Sequence, residues 1–362
     1  MSNILALSPG QVSEVLADMF TCDIKHYRPV FLTGIPGIGK TAVPTQTCER
    51  IGVPLWTCRP IQHETVEYTG LPVREDGKAM WLPFADLLPS APDWTGVIFV
   101  DEVTQLDNSS QKIVASLLDK EGVAGRRIPP AARFLLAGNR QQDRAGASRM
   151  LSIVERRCMQ IEIVFSLDDW EKWALKADIH PIVRSFGDFD GSNFVSFDPA
   201  RSVNPLPGTW HAVSDMLMAR RNASTNKDDS AMVACVAGWV GAGPASKFMA
   251  FREHYSILES VVDQVFNSPD RVTVDPSELS VMHAIIGCIA EKIRMSNGKL
   301  TDRQLGNVVT LANRFPDPLS CLLLVNIHGS SPQTAGRLMS TTEGVAWLQK
   351  HATSIASARR LK

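Results

Sequence analysis

The chain contains a glycine-rich segment followed by a lysine and a threonine, and these residue types at this spacing can bind phosphate. The pattern is G-x-x-x-x-G-K-T, and its residues are Gly34, Ile35, Pro36, Gly37, Ile38, Gly39, Lys40 and Thr41. Glycine lacks a β-carbon, so the backbone can curl until several N–H groups point at one anion, and a following helix adds its positive N-terminal dipole. We therefore expect Lys40 to reach the β- and γ-phosphates of ATP and the Thr41 hydroxyl to bind Mg²⁺.

A pair of acidic residues follows an apolar run further along the chain. Residues 97–100 are Val-Ile-Phe-Val, which is typical of a strand buried on both faces, and Asp101 and Glu102 come next. This is a Walker B pattern, in which Asp101 would hold the Mg²⁺ water shell and Glu102 would polarise the water that attacks the γ-phosphate. Such a pair also suits the cap of a helix. The loop upstream favours the catalytic interpretation.

A third apolar run, 133–137, leads through Gly138 to Asn139. In a parallel sheet with helices on both faces, ligands gather at the carboxyl ends of the strands, so we expect Gly34, Asp101 and Asn139 to lie together. Asn139 would orient the attacking water beside Glu102. The alternative is an asparagine that ends its strand in a turn.

The order of segments predicts an α/β nucleotide-binding core over residues 1–165. We expect a first helix capped by Ser8 or Ser13 and ending near Met19, and a second helix over about 40–51. The core would contain five parallel strands, at 29–33, 53–58, 97–100, 133–137 and 159–165.

A β-hairpin is predicted over 70–83, because Asp76 and Gly77 supply the positive φ angles of a tight turn between extended residues. It is either a surface decoration or an insertion that faces a substrate or a pore. Residues 166–207 are predicted to hold a helix at 168–175 and a connector, most clearly over 186–207. Residues 208–362 would form a helical lid and C-terminal domain, with helices over 279–295, 301–315 and 318–328.

Composition points to an intracellular protein without an obvious second chemistry. The 362 residues carry a formal net charge of −1, which does not favour nucleic-acid binding. The seven cysteines are scattered, as in a reduced cytoplasmic protein, and no segment is apolar enough to anchor the chain in a membrane. The eight histidines show no zinc-binding spacing, and no G-x-S-x-G element occurs.

The ordered set of motifs resembles that of AAA+ ATPases, and the finer texture is similar to the MoxR-like, dynein-related branch. The resemblance covers most of the chain, strongly through residue 165 and loosely beyond. The segments that carry it are 34–41, 97–102 and Asn139, with Thr-Gly-Leu-Pro at 69–72, Val-Thr-Gln-Leu at 103–106, Ala-Gly-Asn-Arg at 137–140, Asp-Arg-Ala-Gly at 143–146 and Gly-Ala-Gly-Pro-Ala-Ser-Lys-Phe at 241–248.

The resemblance implies a ring, which we expect to contain six subunits, with ATP between neighbouring chains and a von Willebrand factor A domain protein as a partner. An arginine from one subunit would complete the site of the next and stabilise charge on the transferring phosphoryl group. The family's Asn-Arg-Phe element aligns with residues 156–158, so Arg157 is the first choice for this role. Arg149 and Arg144 are alternatives, and any of the three could instead form ordinary surface ion pairs.

The chain departs from the family at the second sensor arginine. The family's Thr-Pro-Arg-Ser-Trp stretch corresponds to Leu-Pro-Gly-Thr-Trp at 206–210, which places Gly208 where the arginine would stand. Either Arg201 or another basic residue replaces that arginine, or nucleotide binding is coupled less tightly to domain closure. We expect slow turnover as a result.

These observations predict a Mg²⁺-dependent ATPase that closes a ring and remodels a protein partner. Two alternatives use the same fold. One is an ATP-dependent nucleic-acid motor or loader in which the hairpin and Arg126 and Arg127 contact a strand. The other is a scaffold that assembles when ATP binds, with hydrolysis incidental.

Overall fold

A six-stranded parallel sheet forms the core of the first half of the chain. The computed structural model describes residues 6–59, 67, 70–82, 88–89, 91–119, 128–143, 150–221, 229–273, 278–296 and 298–360. The strands are β1 (Ala6–Leu7), β2 (Val30–Gly34), β3 (Leu55–Cys58), β4 (Leu71–Glu75), β5 (Lys78–Leu82), β6 (Val97–Val100), β7 (Arg133–Asn139) and β8 (Met159–Ile163). The sheet order is β1-β8-β2-β7-β6-β3, and β4 and β5 form a separate two-stranded sheet among the described residues.

The predicted α/β class is confirmed, and five of the predicted strands agree with the structure to within two residues at each end. The predicted number of parallel strands was wrong, because β1 adds a sixth through its pairing with β8. Two residues are too few to show the alternation or length by which a strand is recognised in a sequence.

The sheet is buried on both faces, which explains why its strands read as continuous apolar runs. All four residues of β6 are buried. Successive side chains of a strand point to opposite faces, so Ile98 and Val100 enter one core cluster while Val97 and Phe99 enter the other. Both faces are therefore sealed, and polar side chains at the strand ends have only the sheet edges available.

Helices cover the two faces of this sheet. In chain order they begin with α1 (Pro9–Thr21), α2 (Ala42–Ile51), α3 (Asn108–Leu118) and the short α4 (Ser152–Glu155). Ser8, one of the two expected caps, begins α1 in a capping box with Gln11. Thr41 occupies the cap position of α2 but makes no capping hydrogen bond, because its hydroxyl has another partner, described below.

The predicted hairpin is confirmed over its described residues. β4 and β5 are antiparallel, and Asp76 (φ 48°) and Gly77 (φ 76°) make the turn. Leu71, Met80, Trp81 and Leu82 are large apolar residues that stay exposed on it. Whether the hairpin meets a substrate or a pore stays a prediction.

The later part of the chain is helical, as the sequence predicted. The helices are α5 (Leu167–Lys176), α6 (Pro181–Asp190), α7 (Pro207–Arg221), α8 (Asp229–Val240), α9 (Ala242–Asn267), α10 (Leu279–Met295), α11 (Asp302–Ala312), α12 (Asp317–Ser330), α13 (Pro332–Met339) and α14 (Thr342–Arg360). Its core includes an aromatic cluster in which Phe186 packs between Trp210 and Phe248 and the Trp210 indole donates to the Phe194 carbonyl at 2.7 Å.

The chain divides into two compact units. The first comprises Met1–Asp169, Phe197–Ser202 and Leu206–Gly208, and the second comprises Trp170–Ser196, Val203–Pro205 and Thr209–Lys362. The stretch predicted as a connector contains the end of α6, and its first residue, Phe186, is fully buried. Its Gly, Asp and Ser content suggested a loop and concealed the apolar face of that helix.

The turn after β6 packs closely against β7. The Thr104 hydroxyl accepts a hydrogen bond from the Asn139 N–H at 3.0 Å. A β-carbon on Gly138, the residue before Asn139, would lie 2.5 Å from Thr104 Cγ2, which is closer than β-carbons approach other atoms in real structures. Gly138 is thus required so that the turn after the acidic pair can hold the end of β7.

Replacing Gly138 with alanine should destabilise the protein by about 1–3 kcal/mol, because the added methyl group forces Thr104 away from the strand. Thermal and denaturant unfolding would measure the loss. Thr104→Ala is the matched control, since it removes the two nearest atoms, Cγ2 and Oγ1, together with the hydrogen bond and leaves only the β-carbon at 3.1 Å. Adding Gly138→Ala to that variant should cost much less than adding it to the natural chain, and equal costs in the two backgrounds would contradict the close contact.

Candidate functional site

The predicted phosphate loop joins β2 to α2 and has the curled backbone that its glycines allow. Gly37 (φ 70°) and Gly39 (φ 107°) adopt positive φ angles that other residues rarely reach. Lys40 holds the two ends of the loop together, because its Nζ atom donates to the carbonyl oxygens of Gly34 and Ile35, each at 2.9 Å. The lysine charge is held at the base of the loop.

Lys40 also links the loop to the neighbouring strand. Its Nζ donates to Asn139 Oδ1 at 2.8 Å. Gly34 and Asn139 are direct partners in the β2–β7 register, so the first loop residue and the predicted sensor lie side by side. The Asn139 side chain is therefore directed at the lysine that would bind phosphate, which is more specific than a turn-forming role.

The Thr41 hydroxyl donates to Asp101 Oδ2 at 2.9 Å, which joins the loop to the end of β6. Asp101 is only 6% exposed, and its other oxygen accepts from the Glu102 N–H at 3.0 Å. A hydroxyl and a carboxylate are the oxygen ligands that Mg²⁺ prefers, and this ion commonly binds through few protein groups and several waters. The pair fits the predicted Mg²⁺ site.

Glu102 has an unusual backbone for a residue with a side chain. Its φ of 56° and ψ of 31° lie in the left-handed region, which costs a non-glycine residue about 1–2 kcal/mol. A 3₁₀ turn over Val103–Gln105 follows at once. Such strain at the end of a strand often marks a functional position.

Burial lowers the pKa of Lys40 to about 8, from an ordinary value of 10.5. Desolvation disfavours the charged ammonium and is the largest cause. The charges of Asp101, Asp143 and Glu102 oppose this shift, while Arg140 adds to it. The protonation of Lys40 is consequently sensitive to the charges of these four residues.

Three residues of this edge were not assigned a role from the sequence. Arg140 follows Asn139 and forks onto Asp143, with Nε 2.9 Å from Oδ2 and Nη2 2.8 Å from Oδ1. Its Nη1 atom donates to Glu162 Oε1, on β8, at 2.7 Å. The hydrogen bonds to Asp143, and then those to Glu162, raise the pKa of Arg140. The Arg-x-x-Asp spacing is visible in the sequence, whereas the partner on β8 is not.

Gly208, which stands where the family has its second sensor arginine, lies beside the loop. A β-carbon on Gly37 would be 3.4 Å from Leu206 Cδ1, and one on Gly208 would be 3.9 Å from the Gly37 carbonyl oxygen. Gly208 has a normal φ and open space around it otherwise. Arg201, the suggested substitute, pairs with Asp198 at 3.2 Å.

Arg157, the first choice for a residue that acts on a neighbouring subunit, is engaged within its own chain. Its Nε and Nη2 atoms each donate to an Asp119 carboxylate oxygen at 2.6 Å, and this hydrogen bonding lowers the pKa of Asp119. The adjacent Arg156 is exposed, and its side chain has no hydrogen bond or ion pair with the residues that the structure describes. Arg144 and Arg149 lie outside the described residues.

The described residues give little support for other kinds of functional site. Within the described ranges, no three His, Cys, Asp or Glu side chains are grouped so that they could hold a metal ion, and no helix is both long and apolar enough to cross a membrane. The hairpin tip carries Arg74 and Lys78 alongside Glu75 and Asp76, so it has no basic excess. Arg126 and Arg127 lie outside the described residues.

Two solved structures that are similar to this chain resemble it distantly. No protein-family model matches the sequence, and no curated protein matches it. A structure titled "Structural Basis for Katanin Self-Assembly" has 14% identity and a TM-score of 0.36, covering 77% of this chain and 87% of that one. A Thermotoga maritima RuvB mutant has 15% identity and a TM-score of 0.34, covering 76% and 82%. At this distance neither likeness indicates what this chain binds or does.

The affinity for Mg²⁺–ATP should fall as the pH rises above about 8. The phosphates need a protonated Lys40, and above its pKa the amine must take up a proton when nucleotide binds, so the Kd should rise by up to about tenfold per pH unit. Titration with labelled nucleotide between pH 7 and 9.5 would measure this.

Two variants of Lys40 serve as controls. Lys40→Arg keeps a charge that does not titrate in this range and should bind more weakly but with a flat pH profile. Lys40→Ala should weaken binding by roughly 10–100-fold. A natural chain whose affinity is flat to pH 9.5, or a Lys40→Ala chain that binds normally, would contradict the role of this ammonium.

Proposed function

We propose that this protein is a Mg²⁺-dependent ATPase of the AAA+ type, similar to the MoxR branch. The observation that carries the proposal is the convergence of Lys40, Thr41, Asp101 and Asn139 at one edge of the parallel sheet, where side chains from three strand ends are joined by hydrogen bonds. These are the parts that phosphoryl transfer to water requires, namely a phosphate cradle, a metal ligand set and a group that orients water.

Each residue would have a distinct task in this reaction. The loop amides and Lys40 would bind the phosphates, and Thr41 and Asp101 would hold Mg²⁺, which supplies neutralising charge when bound. Glu102 would polarise the attacking water and Asn139 would orient it. The left-handed backbone of Glu102 supports this assignment, since such conformations are concentrated at functional positions.

The proposal extends to assembly. We infer that the chain closes a ring, with six subunits, and that movement between its two units remodels a protein partner, with a von Willebrand factor A domain protein as a candidate. Arg157 would act on the nucleotide of the adjacent subunit. That role would require it to leave Asp119, so Arg156, which is exposed beside it, is the natural comparison in mutagenesis.

Glu102→Gln should bind Mg²⁺–ATP normally but lose turnover by roughly 100-fold or more, because the amide cannot polarise water as a base does. With ATP and Mg²⁺ this variant should accumulate as a larger species in light scattering, since bound nucleotide is not consumed. Phosphate release and particle mass are the measurements.

Lys40→Ala is the control for this experiment, since at nucleotide concentrations well below its raised Kd it should neither turn over nor assemble. Unchanged turnover in Glu102→Gln would remove that residue from its role. A protein that stays monomeric with ATP, with a slowly hydrolysed analogue and in the Glu102→Gln form would argue against the ring.

Gly208→Arg should tighten Mg²⁺–ATP binding by about five- to tenfold, because it adds a cation beside the loop that can contact phosphate. The open space at Gly208 admits a side chain without strain. Gly208→Ala adds the β-carbon without the charge and should bind as the natural chain does. Equal affinities in the arginine and alanine variants would show that this position does not face the nucleotide.

A further inference from the structure

The carboxyl edge of the sheet carries more negative than positive charge among the residues already named. Its acids are Asp101, Glu102, Asp143 and Glu162, and its cations are Lys40 and Arg140. A bound Mg²⁺ would neutralise the charge of Asp101. It would leave the charges of Asp143, which follows β7, and Glu162, on β8, without compensation. A triphosphate, itself strongly anionic, has to bind beside them.

Arg140 is placed to neutralise those two acids. Asp143 is 4% exposed, and both of its carboxylate oxygens accept from the Arg140 fork. Glu162 lies opposite Thr33 in the β2–β8 register, one residue before the loop begins at Gly34. Asp143 follows β7, and Glu162 lies on β8, so the two acids belong to the strands on either side of β2, and one guanidinium contacts both carboxylates.

We infer that Arg140 is a positioning residue for nucleotide binding, which neutralises Asp143 and Glu162 so that the loop can accept a triphosphate. The inference rests on the proposed function, since it concerns the same site. The alternative is a structural clip, in which the Arg140–Glu162 ion pair only holds the end of β7 to β8. A clip would be lost on removal of either Glu162 or Arg140. In the charge-neutralising role, by contrast, Arg140 is needed because Glu162 and Asp143 are negative, so removing Glu162 does no harm.

Removing the charges singly and together separates the two possibilities. Arg140→Gln should raise the Kd for labelled Mg²⁺–ATP at pH 7 by about tenfold or more, because it exposes the phosphates to two uncompensated acids. Glu162→Gln should bind at least as tightly as the natural chain. The Arg140→Gln, Glu162→Gln double variant has the natural net charge at this edge and should recover most of the lost affinity.

A structural clip predicts the opposite pattern. Binding would then weaken in Glu162→Gln as well as in Arg140→Gln, and the double variant would not recover; either result overturns the inference, as does normal binding by Arg140→Gln. Because Arg140→Gln leaves buried Asp143 without its partner, thermal unfolding should accompany each titration. If that variant does not fold, the Glu162→Gln variant decides alone. Weaker binding of Mg²⁺–ATP by Glu162→Gln than by the natural chain would overturn the inference.

The same titrations keep this inference distinct from the proposed function. If the natural chain shows no saturable binding of labelled Mg²⁺–ATP, the proposed function itself fails. If the natural chain binds and Lys40→Ala binds more weakly, while the Arg140 and Glu162 variants follow the clip pattern, the ATP site stands and only the role of Arg140 is lost.

Discussion

The site depends on one ammonium group that is withdrawn from water. Lys40 Nζ donates to two loop carbonyls and to Asn139, so a single charge holds the phosphate loop and the end of β7 in one arrangement. Withdrawing a charge from water is costly unless hydrogen bonds and nearby opposite charges compensate. The negative charges of the nearby acids compensate part of this cost, and the positive charge of Arg140 reduces that compensation.

The parallel sheet is what allows these groups to meet. Its faces are sealed by apolar side chains on both sides, and all its strands run in one direction, so polar residues that follow the strands collect at one edge. Residues separated by about a hundred positions, such as Lys40 and Asn139, become hydrogen-bonded neighbours in this way. The positions of the loop, the acidic pair and the Asn139 amide all follow from one rule, that parallel strands place their carboxyl ends at the same edge of the sheet.

Sequence reasoning reached the parts of this arrangement that local patterns encode. The loop spacing, the apolar run before Asp101 and the Asp76–Gly77 turn each have a short-range physical cause. Five of the six sheet strands and the hairpin were therefore predicted to within a few residues, whereas the two-residue β1 was not. What it missed depends on contacts between distant residues. Glu162 is found only through the β8 register, and the requirement for Gly138 only through Thr104. Similarly, the composition around Phe186 suggested a loop, because its apolar partners lie far along the chain.

The left-handed backbone of Glu102 has a consequence for how this protein balances robustness against catalysis. A residue without a β-carbon would hold that conformation with no steric penalty, so glycine at 102 is expected to give a fold that tolerates heat better than the natural one. That gain would come with the loss of the only carboxylate proposed to activate water. The acidic side chain stands there against the preference of the backbone, as expected where a proposed catalytic role and durability make opposite demands on one residue.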